Sequence, residues 1–287
     1  MKQPLALGLM TYFPDGPLQT LQTVRDMEIP TVQFAVLPAS ALLNGREFEA
    51  AEVRAALAQT GVEITTVFCV FGGESYTDIP TVRATVGLVP EDTRAERVER
   101  IAHISRLAQE LGVKRVAAHI GFIPEDAGDA RYPALVETMR AVCDDVATRG
   151  QNFALETGQE TARTLKRFIN DVGRDNLRVN FDPANMILYG NDQPIEALDV
   201  LAPWVDGVHC KDGSWPTEPN KLGKEKPLGE GDVDVPRWIE KLLEVGYRCP
   251  LTIEREIAGE EQKRDVLRAK ALIEECLARS QSNPMRN

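Results

Sequence analysis

Histidine is scarce in this chain: His103, His119 and His209 are the three present in 287 residues. So few imidazoles exclude a metal centre built mainly from them. The five cysteines (Cys69, Cys143, Cys210, Cys249, Cys276) show no Cys-x-x-Cys spacing, which excludes a structural thiolate zinc site. Their odd number and scatter read as reduced thiols of a cytoplasmic protein. No apolar run is long enough to span a bilayer. Met1 to Met10 carries one lysine and is broken by Pro4 and Gly8, too short and weakly charged for a secretion signal. An excess of positive charge is also missing. The formal net charge is -11, so the field of the molecule repels polyanions, and neither nucleic acid nor a membrane surface is expected as a partner.

What is present is an ordinary globular composition, 43% hydrophobic and 27% charged, in a length that suits one large α/β domain. A unit repeats along it: an apolar run, a loop, an amphipathic stretch, a glycine, then the next apolar run. Strands are expected over residues 5–10, 32–36, 62–70, 115–120, 153–156, 177–182, 205–209 and 251–254. Helices are expected over 18–27, 47–59, 93–111, 133–148, 161–172, 194–201, 236–244 and 261–277. Gly61, Gly112, Gly150, Gly173 and Gly246 stand where helices need a left-handed cap. Strict alternation implies parallel strands with right-handed crossovers, and eight units match a single (β/α)8 TIM barrel. An open doubly wound sheet is the competing topology. One catalytic domain is expected over residues 1–278, with a fraying polar tail over 279–287. Two longer segments, 72–90 and 213–233, follow strands three and seven and belong on the catalytic rim.

Four residues able to bind a metal close apolar runs in the second half: Glu156, Asp182, His209 and Glu254. Alone, an acid at a strand end is ordinarily a helix cap or a surface group, and Asp182 before Pro183 could cap a turn. Four such residues on four successive strands point to one shared site at the barrel mouth. Two glutamates, one aspartate and one imidazole make an oxygen-rich set. It suits one divalent metal ion, Mn²⁺ or Mg²⁺ first, with Co²⁺ or Zn²⁺ also able to bind.

From about Leu5 to Leu277 the chain resembles the xylose-isomerase-like barrels, specifically the sugar phosphate isomerase/epimerase group that includes ketose 3-epimerases. The resemblance is carried by ALETG (154–158), NFDPAN (180–185), VHCKDG (208–213), PLGEGDVD (227–234) and LTIERE (251–256). It implies that Glu156, Asp182, His209 and Glu254 ligate one divalent ion and that Glu156 and Glu254 are the proton-transfer pair. The sequence departs from the group twice. Asn185 stands where many relatives have the histidine of Asp-x-x-His, and Trp215 stands where epimerases have an arginine.

Epimerising or isomerising a ketose requires removing a proton beside a carbonyl, which a Lewis acid eases and a placed carboxylate performs. The expected function is therefore metal-dependent isomerisation or epimerisation of a sugar or sugar derivative, with Glu156 and Glu254 as catalytic base and acid. His119, Asn185, Lys211 and Asp212 are the candidate substrate-binding residues. Lys211 and Asp212 could equally orient ligands from behind. Gln159 and Arg255 are weaker candidates, Arg255 being expected to pair with Glu256 or its neighbours. Gly229 and Gly231 resemble a phosphate loop only distantly, because Glu230, Asp232 and Asp234 oppose an anion, and Lys221, Lys224 and Lys226 read as solvated loop charges. Phe13, Phe34, Phe71 and Trp215 are candidates for an apolar wall or for ordinary packing.

The nearest alternative is a dehydratase or lyase using the same metal and base, such as a 3-keto-sugar deglycosidase or a keto-inositol dehydratase. A nuclease of the endonuclease IV type shares the barrel but needs more histidines. A binding subunit with a vestigial site would not keep all four ligands. A homodimer or homotetramer is expected.

Overall fold

Alternating apolar runs and amphipathic stretches fold as that pattern dictates. The computed structural model describes residues 5–14, 16–41 and 47–282. Its strands are β1 (Leu7–Thr11), β2 (Thr31–Val36), β3 (Glu63–Cys69), β4 (Arg115–Ala118), β5 (Asn152–Glu156), β6 (Leu177–Phe181), β7 (Val205–Cys210), β8 (Asp212–Ser214), β9 (Lys224–Lys226) and β10 (Leu251–Ile253). The helices are α1 (Pro17–Asp26), α2 (Ala50–Thr60), α3 (Ile79–Thr85), α4 (Glu91–Glu110), α5 (Tyr132–Ala147), α6 (Ala162–Val172), α7 (Pro183–Leu188), α8 (Pro194–Leu201), α9 (Val235–Glu244) and α10 (Gly259–Ser282).

Eight strands close a barrel in the order β1-β10-β7-β6-β5-β4-β3-β2. Every pairing around the ring is parallel, and the β1–β10 register, Leu7 opposite Leu251, seals it and rules out an open sheet. Gly61 and Gly173 cap α2 and α6 at φ 71° and 60°, and their N–H groups donate to Leu57 O and Ile169 O. An L side chain rarely adopts that conformation.

The main apolar core lies between strands and helices, with Leu21, Ile104, Met139, Phe168 and Trp238 among its fully buried members. A smaller cluster of Ala35, Phe68, Ala117 and Ala154 packs together. The buried polar side chains Gln33, Asn180 and Thr252 meet in a hydrogen-bonded group of their own. No helix among the described residues is long and apolar enough to cross a membrane.

Both long rim segments carry elements the hydrophobic pattern did not mark. The one after β3 contains α3, capped by Asp78, whose Oδ1 accepts from Thr81 N at 2.9 Å. Buried Arg97 of α4 pins that segment by donating to Gly72 O, Thr85 O and Gly87 O. The one after β7 contains the antiparallel hairpin β8–β9. The expected tail is corrected in part: helix α10 continues through Ser282, while 283–287 lie outside the described residues, as does part of the Met1–Met10 segment.

Candidate metal centre

Glu156 is the last residue of β5, Asp182 and Glu254 each follow the last residue of β6 and β10, and His209 lies near the end of β7. These four strands are neighbours in the ring, so their carboxyl ends deliver four side chains to one place. One ligand atom from each lies within 4.8 Å of the others. His209 Nδ1 is 2.9 Å from Glu156 Oε1, 3.1 Å from Glu254 Oε2 and 3.6 Å from Asp182 Oδ2.

Asp182 resolves the choice between cap and ligand by doing both. Its Oδ1 accepts from Asn185 N at 3.0 Å and starts α7. Its Oδ2 is buried without a hydrogen-bond partner, as is Glu254 Oε2. Glu254 Oε2 and Asp182 Oδ2 do sit 3.2 and 3.7 Å from the Lys211 ammonium, which offsets part of their charge without hydrogen-bonding either oxygen. Buried carboxylate oxygens left unmatched are costly unless a cation meets them. Ligands about 2.1 Å from a Mg²⁺ ion are at most about 4.2 Å apart, so small side-chain shifts would bring these four atoms onto one ion. The donor set and the unmatched oxygens fit a single divalent cation.

The far side of His209 is also organised. Its Nε2 lies 3.1 Å from Gln33 Oε1 on β2 and 3.1 Å from Asn180 Nδ2 on β6. Gln33 Nε2 donates to Asn180 Oδ1 at 3.0 Å and Thr252 Oγ1 at 3.3 Å, which turns the Gln33 carbonyl toward the imidazole. A proton on Nε2 donated to Gln33 Oε1 leaves the Nδ1 lone pair facing the three carboxylates, the tautomer a metal ligand needs.

His119, the first residue after β4, places Nε2 2.9 Å from Glu156 Oε2. Behind it Gln159 Nε2 lies 3.2 Å from His119 Nδ1 and donates to Tyr189 Oη at 3.2 Å. Asn185 donates from Nδ2 to Glu156 Oε1 at 3.2 Å and accepts from Lys211 Nζ at 3.3 Å. Lys211, buried, also pairs with Glu256. Gly158 lets α7 approach β5, since a Cβ there would meet Asn185 Cβ at 2.5 Å.

Burial alone would raise Glu156, but the adjoining His119 and His209 outweigh it and hold the carboxyl at about 2. Burial would lower His119 and His209; Glu156 instead raises His119 to about 9, and Glu254 with Glu156 holds His209 well above its usual value. Burial pushes Asp182 up to about 6 despite Lys211.

Other expected site residues fall elsewhere. Asp212 is engaged by the rim loop: its carboxylate accepts from Gly213, Gly229, Gly231 and Val233 N at 2.8–3.2 Å. The PLGEGDVD loop thus wraps a protein carboxylate. A Cβ at Gly231 would lie 2.2 Å from Asp212 Oδ1. Arg255 pairs with Glu225 and Asp265, not Glu256. Phe13 and Phe34 stack at 4.1 Å in the core, and Phe71 lies under Arg97. His103 is on the exposed face of α4, 3.0 Å from Glu47. Lys224 and Lys226 sit in β9, whereas Trp215 and Lys221 line an open cleft beside the mouth. Gln33 and Asn180 were missed by sequence reasoning, although each is the lone amide of a largely buried strand.

The chain matches the xylose isomerase-like TIM barrel family over residues 21–276. A xylose isomerase domain protein from Planctomyces limnophilus is 38% identical, with a TM-score of 0.87 over 98% of this chain and 100% of that one. A D-tagatose 3-epimerase-like protein is 19% identical, with a TM-score of 0.75 over 97% and 99% of the two chains. A barrel protein from Mycobacterium smegmatis, solved in complex with magnesium, is 20% identical with a TM-score of 0.68 over 97% and 98%. At the two lower identities the likeness is one of fold. The chain spans 51% and 64% of the lengths of the curated relatives it matches. On the family match and the Planctomyces likeness, this chain belongs to the xylose isomerase-like TIM barrel family.

Proposed function

We propose that this protein is a divalent-metal-dependent isomerase or epimerase of a sugar or sugar derivative. Glu156, Asp182, His209 and Glu254 would hold one Mg²⁺ or Mn²⁺ ion. When bound, that ion would act as a Lewis acid that draws charge from a substrate carbonyl and its neighbouring hydroxyl. The observation that carries the reading is the convergence of these four side chains within 4.8 Å, two of them presenting a buried oxygen with no hydrogen-bond partner.

Glu156 and Glu254 are the proton-transfer pair in this reading. One carboxylate takes the proton from the carbon beside the carbonyl, and the electron pair moves into the enediolate. The other acid returns a proton. Return to the opposite face of the same carbon epimerises it; return to the adjacent carbon isomerises the sugar. Each glutamate has a cationic neighbour, His119 at 2.9 Å from Glu156 and Lys211 at 3.2 Å from Glu254. These neighbours favour the ionised form of whichever carboxylate takes the proton, and in this reading His119, Lys211 and Asn185 contact substrate oxygens. Asp212 supports the rim loop instead.

Metal-loaded protein incubated with ketoses and keto sugars in D₂O tests the reading by NMR. Carbon-bound deuterium without loss of water is expected, absent in Glu156→Gln and Glu254→Gln. An ultraviolet-absorbing enone would transfer the assignment to a dehydratase or lyase, and no exchange with any keto sugar would overturn it.

A further inference from the structure

Beside the metal centre lies an open cleft of about 520 Å³. Ile79 and Arg83 of α3, Phe122, Tyr189, Trp215 and Lys221 are among its walls. It adjoins the centre through Tyr189, whose hydroxyl joins the Gln159–His119–Glu156 chain and whose ring packs edge-on to Phe122 at 5.7 Å. Two walls are fastened together, since Ile79 N donates to Asn220 O at 3.0 Å.

Three arginines lie over aromatic rings. Arg97 over Phe71 spends its guanidinium on three backbone carbonyls, and Arg167 over Tyr132 donates to Pro124 O and Glu125 O. Arg83 differs. Its guanidinium carbon is held 3.9 Å from the Phe122 centroid, and among the described residues it makes no hydrogen bond or ion pair. Arg83 is exposed, so its planar fork of donors is oriented by the ring contact and open to solvent in the cleft. Lys221 lines the same cleft without an ion pair; Glu218 shares the lining, and Asp78 beside Ile79 lies near enough to feel the Lys221 charge. In a chain of net charge -11, this wall is a local departure in sign.

We propose that this cleft binds an anionic group, a phosphate or a carboxylate, at the end of the substrate remote from the reacting carbons, with Arg83 and Lys221 recognising it. The inference rests on the functional reading above and narrows its substrate class. Bidentate Arg–oxyanion contacts are the strong kind, and Arg83 and Lys221 are both exposed, so a ligand entering the cleft can reach them. Arg83 acts by binding and takes no part in proton transfer.

The test is calorimetry of the full chain with D-fructose, D-fructose 6-phosphate and D-fructuronate, with Mg²⁺ and after EDTA treatment. One anion is expected to bind at least ~10-fold tighter than fructose in both conditions, more weakly as salt rises. Tight phosphate identifies a sugar phosphate; tight fructuronate identifies a sugar acid. Arg83→Gln, alone or with Lys221→Gln, is expected to erase that preference and leave fructose affinity unchanged, while Arg83→Lys keeps part of it. Equal affinity for all three ligands, or equal weakening of all three by Arg83→Gln, overturns the proposal. Failure of the preference with ion binding and deuterium exchange intact removes this inference alone. A preference that survives where ion binding and exchange fail removes the functional reading alone.

Discussion

Replacing Gln33 by leucine would remove the acceptor that faces His209 Nε2 while keeping nearly the same volume. Gln33 is 1% exposed, so no water is at hand to substitute. The remaining neighbour of Nε2, Asn180 Nδ2, is a donor and cannot receive its proton. Asn180 Oδ1 and Thr252 Oγ1 would each lose their bond from Gln33 as well. A buried donor left unmatched costs about 1–3 kcal/mol, so stability should fall by about 2 kcal/mol in denaturant titration. Ion affinity should fall about 10- to 100-fold, the usual cost of removing a partner that fixes a ligand's tautomer. Gln33→Glu keeps an acceptor and should retain most of the affinity. Calorimetric titration of Mg²⁺ and Mn²⁺ into wild type and both variants measures this. If Gln33→Leu binds the ions as wild type does, Gln33 does not set the His209 tautomer and that part of the reasoning fails.

Asp182→Asn should keep the α7 cap, because an amide oxygen can still accept from Asn185 N, yet lose ion affinity by at least ~100-fold in calorimetry. Its circular dichroism should match wild type; loss of helix would assign Asp182 to folding alone. Glu160, buried, is raised by burial to about 8, above its ordinary 4.5. The native state therefore holds that proton more tightly than the unfolded chain. Its stability contribution is intact below pH 4.5 and declines as pH rises toward 8, by on the order of 1 kcal/mol per unit. Glu160→Gln should flatten the stability profile over that window in denaturant titrations, and an unchanged slope contradicts it. Gly231→Ala forces a Cβ to 2.2 Å from Asp212 Oδ1 and 2.5 Å from Gly213 O, so it should cost about 1–3 kcal/mol in thermal unfolding. A neutral effect would mean the 227–234 loop is not organised by Asp212.

The barrel was legible because each strand of the ring centres on an apolar run ended by a loop, and five glycines at helix ends mark unit boundaries. All five glycines do adopt positive φ. The convergence of Glu156, Asp182, His209 and Glu254 followed from strand ends, which parallel topology sends to one rim. What was not legible depends on short-range signals too brief for periodicity. Helices α3 and α7 span seven and six residues, and each is announced only by an aspartate cap and an early proline. The hairpin β8–β9 has three-residue strands. Asp212 reads as chemistry because it stands near a metal ligand, while the glycine-rich loop that folds back on it comes from up to 21 residues away. Gln33 and Asn180 were hidden for a different reason. Their roles exist only once β2 and β6 face each other across the closed ring.

Crystals soaked in Mn²⁺ and measured for anomalous scattering give the most direct test. One manganese peak per chain is expected within coordinating distance of Glu156, Asp182, His209 Nδ1 and Glu254. A peak bound by other residues, or no peak at saturating Mn²⁺, would contradict the metal centre and the enolisation chemistry built on it.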